Sequence, residues 1–229
     1  MRGKLYGIGA GPGDPELMTV KAIRCLEQCD VVAVPDADKG SSTVYQIVRQ
    51  AYPAIEDKQT FTVVMPMTHD LEKLRKNYRA AADLVESYLD QGKTVGFITL
   101  GDPTVYSTYM YVHKLALADG YEAAIIPGIT SFCAAAARLN ISLSERAEML
   151  HVIPSSHGVE EALRLPGTKV LMKAGSKIKA VKEALVASGK NVQAVINCGM
   201  EGEQVCRTAQ EIPDDAGYFS LIIVKDRKD

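Results

Sequence analysis

Two short segments rich in glycine, proline and aspartate hold the residue types best suited to a close-fitting ligand site. Residues 6–15 read YGIGAGPGDP, and residues 101–108 read GDPTVYST. Each segment follows an apolar run typical of a buried strand and precedes a helical pattern. In α/β proteins, ligands bind at turns between strand and helix, at the carboxyl ends of a parallel sheet. The two segments therefore predict two walls of one small-molecule site, and an enzyme rather than a scaffold.

The first glycine cluster does not fit the two common nucleotide-binding patterns. The dinucleotide fingerprint needs Gly or Ala as its sixth residue, but that position is Pro12 when counted from Gly7 and Asp14 when counted from Gly9. A Walker phosphate loop is excluded because no Gly-Lys-Ser/Thr follows. Asp14 and Pro15 are instead suited to a helix N-cap and a first helical residue, which leaves less room for phosphate. A purely structural turn stays an alternative for this segment, and the second segment counts against it.

The composition is that of an ordinary globular protein. Of 229 residues, 47% are hydrophobic and 24% are charged, and the formal net charge is −2. A slightly acidic chain has no general attraction for nucleic acid or anionic lipid, so neither is expected as a partner. No apolar run approaches the roughly 20 residues of a membrane span. Residues 1–4 lead into a strand without a signal-peptide pattern, which predicts a cytoplasmic location.

The five cysteines and four histidines form no cluster with the spacing of metal ligands. We therefore expect no protein-bound metal. Cys25 and Cys29 continue the helical spacing of Met18 and Ala22, which predicts that both thiols are packed in a core. Cys133 lies in an alanine-rich helical pattern.

Apolar runs alternate with helical periods through residues 1–127 and predict an N-terminal α/β domain with a five-stranded, mostly parallel sheet. The predicted strands are residues 5–8, 31–34, 62–65, 94–100 and 123–126. The predicted helices are residues 16–29, a short one capped by Ser41 or Ser42, 70–91 and 104–118. We expect helices on both faces of this sheet.

Residues 128–229 have a different rhythm and predict a smaller, mixed α+β domain with some antiparallel pairing. The predicted strands are residues 150–153, 169–172, 192–196 and 221–224. The predicted helices are residues 159–163 and 178–187, and residues 197–213 are suited to a hairpin. We expect the two domains to pack firmly and to enclose a cleft between them.

Three motifs together resemble the tetrapyrrole methylases, a family that uses S-adenosylmethionine on a two-domain α/β fold. They are residues 9–15 (GAGPGDP), 101–103 (GDP) and 127–131 (PGITS), and they occur in the family's order and spacing. The pattern GDPxxYST is similar to the branch that methylates C20 of precorrin-2 or cobalt-factor II in corrin synthesis. Residues 170–173 and 141–154 are similar to that branch as well.

The resemblance implies a methyl donor, S-adenosylmethionine, bound largely by main-chain groups in the interdomain cleft. It further implies a tetrapyrrole substrate, with any cobalt chelated inside it, and a homodimer. A main-chain cradle explains the glycines, because backbone must approach the ligand closely. The matching donor positions are Pro12, Leu100, Gly101, Asp102, Val105, Tyr106, Thr130, Ser131, Met172 and Asn197.

The implied reaction needs alignment more than a nucleophile, because a sulfonium methyl group is already activated. A base, or a water held by one, must then remove a proton from the methylated carbon. Asp102 and Tyr106 are the candidate catalytic residues, and the hydroxyls of Ser107 and Thr108 lie nearby in sequence. Asp102 as a turn residue and Tyr106 as a core aromatic are the structural alternatives. Cations suited to substrate carboxylates, or simply to a solvated surface, are Lys39, Arg138, Lys173 and Lys177.

Three other functions stay open at this point. Another tetrapyrrole methylase, acting on uroporphyrinogen III or a different corrin carbon, is disfavoured by the Tyr-Ser-Thr triplet. A ribosomal RNA methylase of similar fold would favour a basic surface, and this chain is slightly acidic. A non-catalytic nucleotide-binding module would not need two domains that close on a second ligand.

Overall fold

The computed structural model describes residues 2–66, 68, 70–154 and 158–226. The strands are β1 (Lys4–Gly9), β2 (Val31–Val34), β3 (Gln59–Thr62), β4 (Val95–Thr99), β5 (Glu122–Ile126), β6 (Leu150–Pro154), β7 (Thr168–Met172), β8 (Asn191–Ile196), β9 (Gln204–Cys206) and β10 (Ser220–Lys225). The helices are α1 (Val20–Gln28), α2 (Thr43–Ala51), α3 (Leu71–Leu89), α4 (Tyr109–Ala118), α5 (Ser131–Leu139), α6 (Val159–Arg164) and α7 (Ile178–Ser188). Short 3-10 helices lie at Pro15–Leu17, Pro53–Asp57 and Gly175–Lys177. The chain divides into two compact units, residues 1–130 and 131–229.

The first unit contains a five-stranded sheet in the order β3-β2-β4-β1-β5, in which every pair is parallel. Interior strand β1 pairs with β4 on one side, where Ile8 lies opposite Ile98, and with β5 on the other, where Ile8 lies opposite Ile126. Interior strands β2 and β4 are buried at every residue and apolar because a parallel sheet is covered on both faces. The predicted five-stranded α/β sheet is confirmed.

The helices of this unit cover opposite faces of the sheet. Helices α1 and α2 pack with Ile8 and Ile98 in one core, and α3 and α4 pack with Leu5 and Phe97 in the other. The predicted thiol stripe is confirmed, because Cys25 and Cys29 are buried in the first core. Neighbouring strands β1 and β4 therefore send the chain to opposite faces of the sheet. Such a switch point opens a crevice beyond the carboxyl ends of its two strands, where α/β proteins bind ligands.

Three predicted elements differ from the structure. Strand β3 is Gln59–Thr62 rather than residues 62–65; it is a half-exposed edge strand, so the more apolar residues after it misled the prediction. The predicted helix 16–29 is two elements: Asp14 caps only a 3-10 turn, and Thr19 caps α1. The predicted helix 104–118 begins later, at Tyr109, because the preceding residues form a turn.

The second unit contains a mixed five-stranded sheet in the order β6-β7-β10-β8-β9. Strands β6 and β7 are parallel, whereas β10 runs antiparallel to both β7 and β8. Strand β9 returns antiparallel to β8 as the predicted hairpin. Its core packs α6 and α7 against the sheet through residues that include Leu171, Leu185 and Ile222. The predicted mixed α+β architecture is confirmed.

The end of β10 is held by a buried lysine. The side chain of Lys169, at 0% exposure, donates from Nζ to Asp226 Oδ1 at 2.7 Å and to Leu165 O at 3.1 Å. Lys190 donates to the same Asp226 oxygen at 2.6 Å, and Gly167 N donates to Oδ2 at 2.9 Å. Hydrogen bonds from the two lysines hold the pKa of Asp226 well below its usual range. This network joins the starts of β7 and β8 to the residue that follows β10.

The described residues offer neither a membrane-spanning helix nor a cluster of metal ligands. Within the ranges given above, no helix is long and apolar enough to cross a membrane. Over those same ranges, no group of three or more His, Cys, Asp or Glu side chains could hold a metal ion. Two of the histidines considered in the sequence, His69 and His157, lie outside the described residues.

Candidate active site

The three glycine-rich motifs meet at the carboxyl ends of β1, β4 and β5. Gly101 N donates to Gly11 O at 2.7 Å, and Gly11 N donates back to Gly101 O at 3.3 Å. A Cβ on Gly128 would lie 2.1 Å from Gly101 O, and a Cβ on Gly9 would lie 2.6 Å from Gly128 N. Since these neighbours are backbone atoms that cannot rotate away, only glycine fits at Gly9 and Gly128. The three motifs therefore form one compact set of turns at the β1–β4 switch point.

Asp102 is buried and ties two of these turns together. Its Oδ2 accepts a hydrogen bond from Gly128 N at 2.9 Å. Its Oδ1 accepts from Thr104 N at 2.8 Å and from the Thr104 hydroxyl. Because both carboxylate oxygens are engaged by protein donors, this geometry favours a positioning role over proton acceptance.

Tyr106 lies in the same turn in a conformation that tyrosine rarely adopts. Its φ is 51°, in the left-handed region, and its side chain is 48% exposed, so it is not a core aromatic. That conformation costs a non-glycine residue about 1–2 kcal/mol, and such strain clusters at functional sites. Gly101 is also left-handed, with φ 69°, and a Cβ there would meet no heavy atom of the described residues within 4 Å. The turn thus combines a strained, half-exposed tyrosine with an open space.

The residues after Tyr106 connect the turn to β4 and to helix α4. Ser107 Oγ lies 2.9 Å from Thr99 Oγ1, at the end of β4, and accepts from Tyr109 N at 3.3 Å. Tyr109 is fully buried, and its hydroxyl pairs with His113 Nδ1 at 2.9 Å. Burial raises the pKa of Tyr109 and lowers the pKa of His113. Both side chains are therefore neutral at physiological pH, which suits a packing platform better than an acid–base pair.

Thr130 offers a hydroxyl that lacks a partner. Its Oγ1 is buried and makes no hydrogen bond within the described parts of the chain. A buried hydroxyl left unsatisfied costs about 1–3 kcal/mol, so such an atom points to a ligand. Of the other predicted donor positions in this unit, Pro12 is buried, and Leu100 and Val105 are half-buried. These turns fit a ligand that has polar groups and a planar ring, such as S-adenosylmethionine. They offer an unpaired hydroxyl, an open space at Gly101 and glycines that let the backbone come close.

In the second unit, Met172 and Asn197 lie at the same end of the sheet, where β7 and β8 end. Met172 pairs with Leu221 across β7 and β10, and Asn197 follows β8 with its N–H bonded to Phe219 O at 3.0 Å. The two residues therefore flank the start of β10. Asn197 has φ 51° and Lys173, next to Met172, has φ 59°, so both are left-handed. Strained backbone again accompanies the predicted donor positions. Ser131, the remaining one, begins α5 in this unit.

The structure gives three of the predicted substrate cations partners of their own. Lys39 Nζ lies 5.1 Å from the centre of the Tyr45 ring, and Lys173 Nζ lies 5.6 Å from that of Tyr218. Arg138 donates from Nε to Glu203. Glu203 was missed in the sequence, because an isolated glutamate in a polar loop is ordinarily solvated. Lys177 is exposed in a 3-10 helix.

Comparison with known proteins identifies curated relatives that match from about three quarters to nearly all of the chain. A precorrin-2 C(20)-methyltransferase of Sinorhizobium sp is 33% identical, and the match covers 99% of this chain and 97% of the relative. A protein of Methanocaldococcus jannaschii described as a probable cobalt-precorrin-2 C(20)-methyltransferase is 37% identical, over 74% of this chain and 72% of its own length. A uroporphyrinogen-III C-methyltransferase of Pseudomonas aeruginosa is 27% identical, over 96% and 90%.

A solved structure and a family model agree with these relatives. A uroporphyrin-III C-methyltransferase of Thermus thermophilus, complexed with S-adenosyl homocysteine, has the same fold with a TM-score of 0.66. It is 20% identical in sequence, and the match covers 97% of each chain. The family model described as Tetrapyrrole (Corrin/Porphyrin) Methylases matches residues 4–213. The chain therefore belongs to the tetrapyrrole methylase family.

Proposed function

We propose that this enzyme transfers a methyl group from S-adenosylmethionine to C20 of precorrin-2 or of cobalt-factor II (cobalt-precorrin-2) in cobalamin biosynthesis. One observation carries the choice of carbon. Two relatives named for C20 methylation are 33% and 37% identical to this chain, against 27% for the relative named for uroporphyrinogen III. Methylation of uroporphyrinogen III, or of another corrin carbon, is the alternative.

We place the donor against the turns at the β1–β4 switch point. The sulfonium of S-adenosylmethionine supplies an activated methyl group, so the protein need only bind and align it. The open space at Gly101 admits the donor close to backbone, and the Thr130 hydroxyl gains the partner it lacks. In this proposal the second unit completes the donor site with Ser131, Met172 and Asn197.

We assign different roles to the two candidate catalytic residues. The Tyr106 hydroxyl, on a half-exposed residue, relays the proton that leaves the methylated carbon: its oxygen accepts that proton while its own O–H proton passes to solvent water. Asp102 keeps the turns together, because its carboxylate already accepts from Gly128 N and from Thr104. The support for this division is that Tyr106 faces the solvent-accessible side of the turn, whereas Asp102 is buried.

We further propose a homodimer located in the cytoplasm. The dimer rests on the family resemblance, and light scattering that finds only monomer at micromolar concentration would contradict it. The five cysteines, all within the described part of the chain, are free thiols. Free thiols fit a reducing compartment.

The direct test is methyl transfer followed by NMR. The enzyme is incubated with donor labelled with ¹³C in its methyl group and with precorrin-2, with cobalt-factor II or, as the control acceptor, with uroporphyrinogen III. We expect the label at C20, and the better of the first two acceptors identifies the cobalt content of the substrate. Label only in uroporphyrinogen III, or at a carbon other than C20, would contradict the proposal.

A further inference from the structure

Glu203 is the acceptor at the centre of a small polar cluster in the second unit. One carboxylate oxygen accepts from Gly199 N at 2.8 Å, and the other accepts from Arg138 Nε. Its side chain is 20% exposed, whereas that of Arg138 is 56% exposed. Burial opposes ionisation of Glu203, but the Gly199 N–H and the guanidinium outweigh it and lower its pKa. Glu203 is therefore ionised at neutral pH, and its carboxylate accepts two hydrogen bonds.

The loop closed by Glu203 has an unusual backbone. Asn197, Gly199 and Gly202 are all left-handed, with φ values of 51°, 73° and 76°. Met200 N donates to Asn197 O at 2.9 Å, and Glu203 N donates to Met200 O at 3.2 Å. A non-glycine residue in this region persists only where its surroundings hold it. The bond from Gly199 N to the Glu203 side chain is one such restraint, two residues from Asn197.

Arg138 connects the same glutamate to a different segment. It lies in the last turn of α5, the helix that begins at Ser131. Helix α5 is attached to the β9 region a second time, because Arg207 Nη1 donates to Leu139 O at 2.9 Å. The Arg207 contact involves no residue of the loop 197–203, so it provides a matched control for the contact through Glu203.

We propose that Glu203 and Arg138 are positioning residues of the donor site. Together they fix Asn197 relative to the helix that begins at Ser131. The inference rests on the proposed function, in which both of those residues contact the donor. Arg138 was a candidate to bind the carboxylates of the substrate. Because its Nε donates a hydrogen bond to Glu203, we assign it this positioning role instead.

The test is a double-mutant cycle with two readouts. Glu203→Gln, Arg138→Gln and the double variant are compared with Arg207→Gln for S-adenosylhomocysteine affinity by calorimetry, and for the KM of each substrate. A glutamine oxygen cannot serve both donors as the carboxylate does, so we expect donor affinity to fall roughly tenfold, equal to about 1.4 kcal/mol. The double variant loses no more than Glu203→Gln alone, because the two residues act as one unit. Arg207→Gln keeps wild-type affinity, and the KM for the tetrapyrrole is unchanged in every variant.

Each contrary outcome has a distinct meaning. If the wild-type protein does not bind S-adenosylhomocysteine, the proposed function itself fails. If the wild type binds it and both single variants keep that affinity, the positioning role is overturned. An increase in the tetrapyrrole KM for Arg138→Gln but not for Glu203→Gln would assign Arg138 to the substrate, and would also overturn it. Because the Arg138 side chain is more than half exposed, the ion pair contributes little to stability, and the variants are expected to stay folded.

Discussion

Replacing Gly128 with alanine tests whether the crowding of the three motifs positions the site. The new Cβ would lie 2.1 Å from Gly101 O and 2.9 Å from Gly9 Cα, and such contacts under 3.0 Å are essentially never observed. The turns would have to separate by about 0.9 Å, which also stretches the 2.9 Å bond from Gly128 N to Asp102 Oδ2. Overpacking of this kind costs about 1–3 kcal/mol. A misplacement of about 1 Å can lower a rate roughly 100-fold.

We therefore expect Gly128→Ala to lower the thermal midpoint by roughly 2–12 °C, at about 2–4 °C per kcal/mol for a protein of this size. Methyl transfer at saturating donor should fall about 100-fold. The control is Gly217→Ala, where the added Cβ meets no heavy atom from the part of the chain that the structure describes within 4 Å. Differential scanning calorimetry and the labelled-donor assay measure the two effects. If Gly128→Ala matched the control in both, the close approach of the motifs would have no functional consequence.

Three further variants test other parts of the structure. Gly101→Val adds bulk where the protein itself leaves space and also strains a left-handed position (φ 69°), so we expect calorimetry to show loss of S-adenosylhomocysteine binding while circular dichroism shows that the chain stays folded; retained affinity would remove this turn from the site. Tyr106→Phe should keep donor affinity but slow methyl transfer, by up to the ~10²- to 10⁴-fold that acid–base help supplies. If Tyr106→Phe transferred methyl groups at the wild-type rate, the role of the tyrosine would be packing only. Asp226→Asn leaves the buried Lys169 without its acceptor charge. We expect urea titration at pH 7 to show a loss of about 2 kcal/mol, less than the ~3–5 of a fully buried pair because Asp226 is 41% exposed. The pKa of Asp226 is lower in the folded than in the unfolded protein, so its contribution is present above pH ~4 and lost as pH falls below that value. The variant should lack this acid-side loss, and equal stability of both proteins at pH 7 would contradict the argument.

Local pattern was enough to predict most of the elements but not their arrangement. The apolar runs at residues 5–8 and 95–100 correspond to β1 and β4, and residues 221–224 lie within β10. The strand orders have no local signal, because they depend on contacts between distant segments. Strand β4 lies between β1 and β2, and β10 lies between β7 and β8. Edge strand β3 was misplaced because its side chains are only half-buried, so hydrophobicity does not mark its ends.

The meeting of the glycine-containing turns was predicted in outline, because backbone that must approach other backbone requires glycine. Gly101, Asp102 and Tyr106 lie in one turn, as their spacing indicates, and their roles stay predictions. The left-handed φ of Tyr106 could not be predicted, since tyrosine rarely adopts it. The orphan hydroxyl of Thr130 and the bonds of Glu203 depend on tertiary packing, and threonine and glutamate are ordinary residues in loops.

The strand orders also affect how the chain folds as it is synthesised. In the first sheet, β1 and β2 cannot bond to each other, and each pairs with β4, which emerges from the ribosome only after β3 and α3. In the second sheet, β7 and β8 likewise await β10, the last described strand. Each sheet is thus joined by a late strand inserted at its interior, a non-local topology that slows folding. Until residue 225 has been made, the second unit exposes two unpaired strand edges, which are the features most prone to aggregation in a nascent chain.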